Sequence, residues 1–343
     1  MSTKIIKVGI NGFGRIGRAF LKLAIKNPEI EVAAINDLGD INNLAYLLKY
    51  DSAYGPSGLA IKVDGSDLVV EGKKIKFLQE KEPAKLPWGQ LGVEIVVEST
   101  GLFESYEKAK GHLDGGAHKV VVTAPIKGEP LPGIMGGTVL MGINDDKLAN
   151  YQISSNASCT TNSAGPVIQI LHETIGVEKA MLSTIHAYTA TQNLVDSPDK
   201  KDWRRGRAAA SNIIPSTTGA ALAVTEVISD LKGRFDGIAL RVPVITGSLS
   251  DITFIAKRKT TVEEVNKILQ QAAASPRWEG IFTASEEELV SSDIVNGPYA
   301  SIADLKFTKV VDGNLVKVLA WYDNEMGYAH TLMRHVIKTS QIV

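Results

Sequence analysis

Along the first third of the chain, short apolar runs alternate with amphipathic stretches. Residues 5–11 predict a strand, 16–26 a helix, and 31–36 a second strand. A helix over 44–50, a strand over 93–98, a helix over 106–111 and a strand over 119–123 follow. Such alternation predicts a parallel sheet covered by helices on both faces. The pattern changes from about residue 180. Residues 180–189, 237–244, 250–257 and 315–322 read as longer strands, with helices over 219–229 and 262–274 between them. That half predicts a largely antiparallel sheet with helices on one side. The change of pattern puts a domain boundary close to residue 159.

Composition agrees with two domains. A chain of 343 residues exceeds the usual size of one domain. Its 44% hydrophobic and 22% charged content is that of a globular protein with a substantial core. The formal net charge of -1 makes no general case for nucleic acid or an acidic membrane surface. The N-terminus enters a strand at once and lacks the long apolar stretch of a signal peptide. No apolar run approaches the ~18 residues that would span a bilayer. A single cysteine leaves no intrachain disulfide and fits a reducing compartment, so the expected location is the cytoplasm.

Gly12-Phe13-Gly14-Arg15-Ile16-Gly17 follows the first strand and opens the first helix, the context in which a G-x-G-x-x-G run carries meaning. Gly12 permits the tight turn, Gly14 lets backbone approach a pyrophosphate, and Gly17 lets helix pack on strand. The pyrophosphate would sit at the helix N-terminus. The second strand ends in Asn36-Asp37, which places a carboxylate where the adenosine ribose hydroxyls need an acceptor. Asp37 repels a 2'-phosphate, so NAD is favoured over NADP. The fold class is therefore α/β: a Rossmann-type doubly wound parallel sheet plus an α+β catalytic domain with a largely antiparallel sheet.

Cys159 is the only thiol, in the run Ser155-Asn156-Ala157-Ser158-Cys159-Thr160-Thr161-Asn162. A strand ends just before it and a helix begins just after. Ser158 is the candidate N-cap, Cys159 sits at or beside the first helical residue, and Pro166 is placed in the first turn. Helix-terminal amides there favour thiolate, which would lower the thiol below its ordinary ~8.5. A thiolate beside a dinucleotide site can add to an aldehyde, give a hemithioacetal, and leave a thioester once hydride departs. That route needs a base. Of six histidines, His186 is the best candidate, with Thr184, His186 and Tyr188 sharing one face of a strand. His172, about three turns along the helix from Cys159, reads as structural. No residue pattern calls for a metal.

The runs 155–162, 184–189, Arg204-Arg205-Gly206-Arg207-Ala208-Ala209-Ala210, 213–221 and Trp321-Tyr322-Asp323-Asn324-Glu325 stand in this order. Together with residues 8–17 they resemble phosphorylating glyceraldehyde-3-phosphate dehydrogenases over nearly the whole chain. The resemblance implies that Cys159 is the nucleophile and His186 its base. It implies two anion sites, for the substrate phosphate and the attacking inorganic phosphate, drawn from Ser158, Thr160, Thr189, Arg205, Thr218, Gly219 and Arg241. For NAD it implies Arg15, Ile16, Asp37, Thr100, Thr123 and Asn324 beside Gly12, Gly14 and Gly17, with Asn324 orienting the nicotinamide amide. It implies an NAD-binding domain over 1–157, completed by a C-terminal helix over 324–343, and a catalytic domain over 158–323. It also implies a homotetramer, in which the loop over 187–212 reaches a neighbouring subunit's cofactor. The expected reaction is reversible oxidation of glyceraldehyde 3-phosphate, with NAD and inorganic phosphate, to 1,3-bisphosphoglycerate.

Some positions depart from the family pattern. Ser163 stands where a second cysteine is common, so Cys159 has no resolving thiol in its own chain. Met326 stands where an aromatic residue is usual. Ser197 replaces a leucine frequent in NAD-specific members, although Pro198 is kept, and Gly39 leaves room near the ribose. These marks leave NADP as a weaker alternative cofactor. The alternatives to the main reading are an erythrose-4-phosphate dehydrogenase, which hydrolyses its thioester, and a non-catalytic NAD- or RNA-binding Rossmann protein. The phosphate-site runs and the intact Cys159–His186 pair speak against both.

Overall fold

The computed structural model describes residues 5–200 and 202–341. Contacts group the chain into two compact units, Met1–Ala157 with Leu332–Val343, and Ser158–Thr331.

The first unit is built on a nine-stranded sheet. Its strands are β1 (Ile6–Asn11), β2 (Ile30–Asn36), β3 (Ile61–Asp64), β4 (Asp67–Val70), β5 (Lys73–Leu78), β6 (Ile95–Glu98), β7 (Lys119–Val122), β8 (Gly136–Thr138) and β9 (Ile153–Ser155). The six strands β5-β2-β1-β6-β7-β9 lie side by side and parallel. Counted along the chain they follow the 3-2-1-4-5-6 order of a doubly wound dinucleotide fold. Neighbouring residues such as Val96 and Val97, or Val120 and Val121, point to opposite faces and are all fully buried, so both faces are covered. This is why these strands read as continuous apolar runs. Helices α1 (Arg15–Ala24), α2 (Ile41–Lys49) and α3 (Tyr106–Asp114) connect them. Asp40 and Ser105 cap α2 and α3 through side-chain bonds to Asn43 and Lys108 amides. The direction of the chain reverses across β1 and β6, and their carboxyl ends form the switch point where such sheets bind ligands.

The second unit carries a seven-stranded sheet in the order β11-β12-β10-β13-β16-β15-β14. These are β10 (Val177–Ala187), β11 (Ile214–Thr217), β12 (Phe235–Val242), β13 (Ser248–Ala256), β14 (Phe282–Ser285), β15 (Ser301–Val311) and β16 (Leu315–Tyr322). Four of its pairings are antiparallel, and β10 with β12 and β14 with β15 are parallel. Helix α4 (Cys159–Thr174) touches β10, β13, β15 and β16, as well as α5 (Ala220–Val227) and α6 (Val262–Ala273). Its first turns are buried all round, from Thr160 to Ile168. Ser163, in the place of the second family cysteine, is fully buried and bonds Ser250 of β13 at 3.0 Å. The last helix, α7 (Met326–Ser340), is capped by Asp323, whose Oδ1 accepts from the Glu325 and Met326 amides.

One expectation fails here. Pro166 is not in the first turn of α4 but in its interior, because the helix starts at Cys159. Its ring forgoes one helical hydrogen bond and is buried in the core instead.

Candidate active site: a glycine turn and a capped thiol

In the first unit, the turn after β1 is tightly constrained at two of its three glycines. Gly12 has φ +94, and a Cβ there would lie 2.7 Å from the Ser99 carbonyl carbon and the Thr100 nitrogen. A Cβ on Gly17 would lie 2.1 Å from the Gly12 oxygen. Gly14 meets nothing within 4 Å and is exposed, so backbone is open to a ligand at the head of α1. A cleft of about 270 Å³ adjoins this turn, lined by Asn11, Gly12, Gly14, Asp37, Lys81 and Thr100 among others. Asp37 accepts the Phe13 amide at 2.7 Å on one oxygen and the Gly39 amide at 2.8 Å on the other. The carboxylate thus braces the turn and still borders the cleft. Open helix-terminal backbone, room at Gly14 and a carboxylate at the end of β2 are what the diphosphate and ribose of NAD require.

The other cofactor candidates are tied into the scaffold to different degrees. Arg15 turns its guanidinium to Asp51 at 2.9 Å, beside the Tyr54 ring. Ile16 follows it in the first turn of α1. Thr100 bonds the buried Glu98 through both amide and hydroxyl. The Thr123 amide donates to the Glu98 carbonyl at 3.0 Å. Asn324, in the second unit, is buried, and its Oδ1 accepts from the Gly247 amide at 3.1 Å and the Ser248 hydroxyl at 3.0 Å. That fixes the amide so that Nδ2 is its remaining donor end. Lys81 also lines the cleft, and the sequence does not point to it. No glycine pattern or strand-end carboxylate marks it.

In the second unit, Ser158 caps α4, with its Oγ accepting from the Thr161 amide at 3.1 Å. Ala157 just before it is buried at φ +53, a conformation unfavourable for a residue with a Cβ. Its amide is held by Ser155 Oγ at 2.9 Å. This sharp entry into the helix puts Cys159 at its first position. His186 arrives from β10, and its Nε2 stands 3.4 Å from Cys159 Sγ. Arg241 is the register partner of His186 on β12. Its Nη1 lies 2.7 Å from His186 Nδ1 and 3.2 Å from the Ala187 oxygen, which is itself 2.6 Å from Nδ1. Tyr322 completes the surroundings: its hydroxyl bonds Thr160 and Thr184 at 2.8 Å each, and its ring meets the His186 ring edge-on. Thr184 and His186 therefore share a face as expected, while β10 ends before Tyr188.

The electrostatics differ from the sequence reading. Burial pushes the Cys159 thiol up, against the downward pull of Arg241 and the Thr160 hydrogen bonds. Burial, and after it the charge of Arg241, brings His186 down to about 3. The expectation of a lowered thiol counts the helix terminus and leaves out desolvation, which dominates here. Both groups rest neutral, and moving a proton from Sγ to Nε2 creates opposite charges that attract. At 3.4 Å and an effective dielectric near 20 that attraction is on the order of 5 kcal/mol.

The anion residues are less gathered. Arg205 bonds Ser216 Oγ at 2.9 Å, and Thr218 Oγ1 accepts from the Ala220 amide at 3.2 Å. Gly219 precedes α5 with open space where a Cβ would be. Thr189 Oγ1 is 3.0 Å from Thr191 Oγ1. Thr160 points its hydroxyl at Tyr322 and is 4% exposed. Three further histidines are structural: His112 bonds Glu98 and Trp88, His172 accepts the Val177 amide, and His335 bonds Ser154 and Asn156. Among the described residues no group of His, Cys, Asp and Glu is placed to hold a metal ion, and no helix is long and apolar enough to cross a membrane.

Comparison with known proteins agrees with both halves. Residues 6–106 match the glyceraldehyde 3-phosphate dehydrogenase NAD binding domain, and residues 158–324 the C-terminal domain of the same family. The chain is 49% identical over 330 residues to the glyceraldehyde-3-phosphate dehydrogenase of Geobacillus stearothermophilus, covering 96% of each protein. It is 49% identical over 336 residues to that of Mycolicibacterium smegmatis, covering 95% of this chain and 96% of the relative. With glyceraldehyde-3-phosphate dehydrogenase B of Aspergillus oryzae the identity is 44% over 328 residues, covering 95% of this chain and 96% of the relative. The chain belongs to the glyceraldehyde-3-phosphate dehydrogenase family.

Proposed function

We propose that this chain oxidises glyceraldehyde 3-phosphate, with NAD and inorganic phosphate, to 1,3-bisphosphoglycerate through a thioester on Cys159, reversibly. The observation that carries the reading is the 3.4 Å approach of Sγ to His186 Nε2 at the head of a capped helix. As Sγ adds to the aldehyde carbon, His186 takes the thiol proton and returns it to the carbonyl oxygen, giving a hemithioacetal. The Cys159 amide, at the first position of α4, is set to stabilise the oxyanion. His186 then removes the hydroxyl proton while hydride leaves the same carbon. Bound NAD supplies the hydride acceptor, held by the glycine turn, Arg15, Ile16, Asp37, Thr100, Thr123 and Asn324. Inorganic phosphate attacks the resulting thioester, the Cys159 thiolate leaves, and the acyl phosphate is released.

Arg241, with Thr189 and Arg205, supplies donors suited to a phosphate dianion. Ser158, Thr160, Thr218 and Gly219 are the companion set, with Thr160 acting from its bond to Tyr322. The first unit is read as the NAD domain and the second as the catalytic domain. The protein is read as a homotetramer. Supporting this, one face of the second sheet opens a mainly apolar hollow of about 400 Å³ lined by Met181, Phe235, Ile255 and Leu315. Met181 is 59% exposed, which favours covering by another copy. The cytoplasm is the proposed location, since a catalytic thiol must stay reduced. Recovery from cells in a membrane or extracellular fraction would contradict it.

The test of the chemistry is Cys159→Ser. The variant should lose NADH formation while still binding NAD. Steady-state dehydrogenase activity in it would sink the thioester route.

A further inference from the structure

Three adjacent strands of the first sheet end in buried polar residues. Asn11 closes β1, Asn36 closes β2 and Glu98 closes β6, and none is more than 4% exposed. Asn11 is the register partner of both others. Their side chains bond in a row. Asn36 Nδ2 donates to Asn11 Oδ1 at 2.7 Å, and Asn11 Nδ2 donates to Glu98 Oε2 at 2.5 Å.

Backbone groups pin both ends of the row. At one end Asn36 takes the Glu80 amide on Oδ1 at 2.8 Å and gives Nδ2 to the Glu80 carbonyl at 2.9 Å. At the other, Glu98 Oε1 accepts the Thr100 amide at 2.8 Å and the Thr100 hydroxyl at 2.5 Å. A backbone amide only donates and a carbonyl only accepts, so neither asparagine can turn over. His112 bonds Glu98 as well. Its Nδ1 accepts from the Trp88 indole, which leaves the hydrogen on Nε2, 2.9 Å from Glu98 Oε2. Four donors converge on one carboxylate.

The row joins the walls of the cleft beside the glycine turn. Glu80, Asn36, Asn11 and Thr100 all line that cleft, with Asp37 next to Asn36. Thr100 also backs the turn, since a Gly12 Cβ would lie 2.7 Å from its nitrogen. We propose that Glu98 is a positioning residue for the cofactor, and that the row it anchors fixes the cleft for the adenosine half of NAD. This rests on the reading that NAD occupies this cleft beside Asp37. Glu98 is buried and acts through Thr100, Asn11 and Asn36. Walls held by buried bonds need no ordering when a ligand enters, and such preorganisation strengthens binding. Glu98→Gln keeps the size of the side chain and turns one oxygen into an NH2 group. Whichever oxygen that is, two donors lose their acceptor. Turning Asn11 over moves the conflict to Asn36, and turning Asn36 over moves it to the Glu80 backbone.

The proposal is tested by calorimetric titration of the purified protein with NAD and with ADP-ribose, which lacks the nicotinamide. In Glu98→Gln both Kd values should rise by the same factor, roughly 10-fold or more. In turnover, KM for NAD should rise to match, while kcat at saturating NAD stays within about 2-fold of wild type. Val97→Ala controls for mere loss of stability, since Val97 is a fully buried neighbour on β6 outside the row. It should lower the thermal midpoint and leave both Kd values unchanged. Asn36→Ser cuts the row at its other end with Glu98 in place, and carries the test if Glu98→Gln does not fold. It should weaken both ligands alike. Wild-type affinity in either row variant, a loss confined to NAD, or an equal loss in Val97→Ala overturns the proposal. Asp37→Ala tells the two readings apart. If it too binds NAD like the wild type, NAD lies elsewhere and the cleft reading fails instead.

Discussion

Cys159 and His186 lie 27 residues apart in the chain and 3.4 Å apart in space. Each is readable from sequence because its chemistry is local: a thiol after a capping serine, a histidine on a strand. What surrounds them is not readable to the same depth. Tyr322 ties Thr160 to Thr184, and Arg241 meets Nδ1, through strand pairings that bring together residues far apart in sequence. The thiol shift runs opposite to its local expectation for a related reason, since burial depends on the whole fold. Asp37 supports a separate expectation at this scale. Asp37→Ala removes the ribose acceptor and the brace on the Phe13 and Gly39 amides. Losing hydrogen bonds to a charged group of about 1.5–3 kcal/mol should raise KM for NAD by roughly 10- to 100-fold. NADP, whose 2'-phosphate the carboxylate repels, should suffer less. An unchanged ratio of kcat/KM for the two cofactors would contradict the ribose assignment.

Among the elements, the β1–turn–α1 segment is legible because its glycines answer to hard steric limits, such as 2.1 Å between a Gly17 Cβ and the Gly12 oxygen. Strands β3, β4 and β5 are not. They are short, and their lysines and aspartates mask the apolar alternation that antiparallel edge pairing needs. Pro166 misleads for the opposite reason: a proline usually marks a helix start, and here a buried one is carried inside. The join of β9 to α7 makes a prediction about pH. His335 is buried, bonded to Ser154 Oγ at 2.8 Å and Asn156 Oδ1 at 3.1 Å, and burial brings it down to about 3. Its folded value lies below the unfolded value of about 6.5, so its contribution is fully present above pH 6.5. It is lost as pH falls through that window toward 3, to a limit of about 5 kcal/mol. Urea unfolding from pH 7 down to 4 should show this loss, and His335→Asn should shed about one proton's worth of the slope. An identical slope in the variant would contradict a neutral buried His335.

At the scale of the molecule, division into two units follows from the change in strand pattern, and the parallel order of the first sheet from its alternation with helices. How copies assemble is written in surface shape, which periodicity does not reveal. Sedimentation of the purified protein should give a species four times the 36.8 kDa chain mass. A stable monomer at micromolar concentration would contradict the homotetramer. The central claim is a thioester on Cys159 resolved by phosphate, and the amount of NADH formed without phosphate or arsenate tests it most directly. With glyceraldehyde 3-phosphate and NAD, a burst of about one NADH per active site should appear and then stop, because only phosphate can clear the acyl group. Adding inorganic phosphate should restore continuous turnover. Sustained NADH formation without phosphate would mean that water clears the thioester, and would contradict a phosphorylating enzyme.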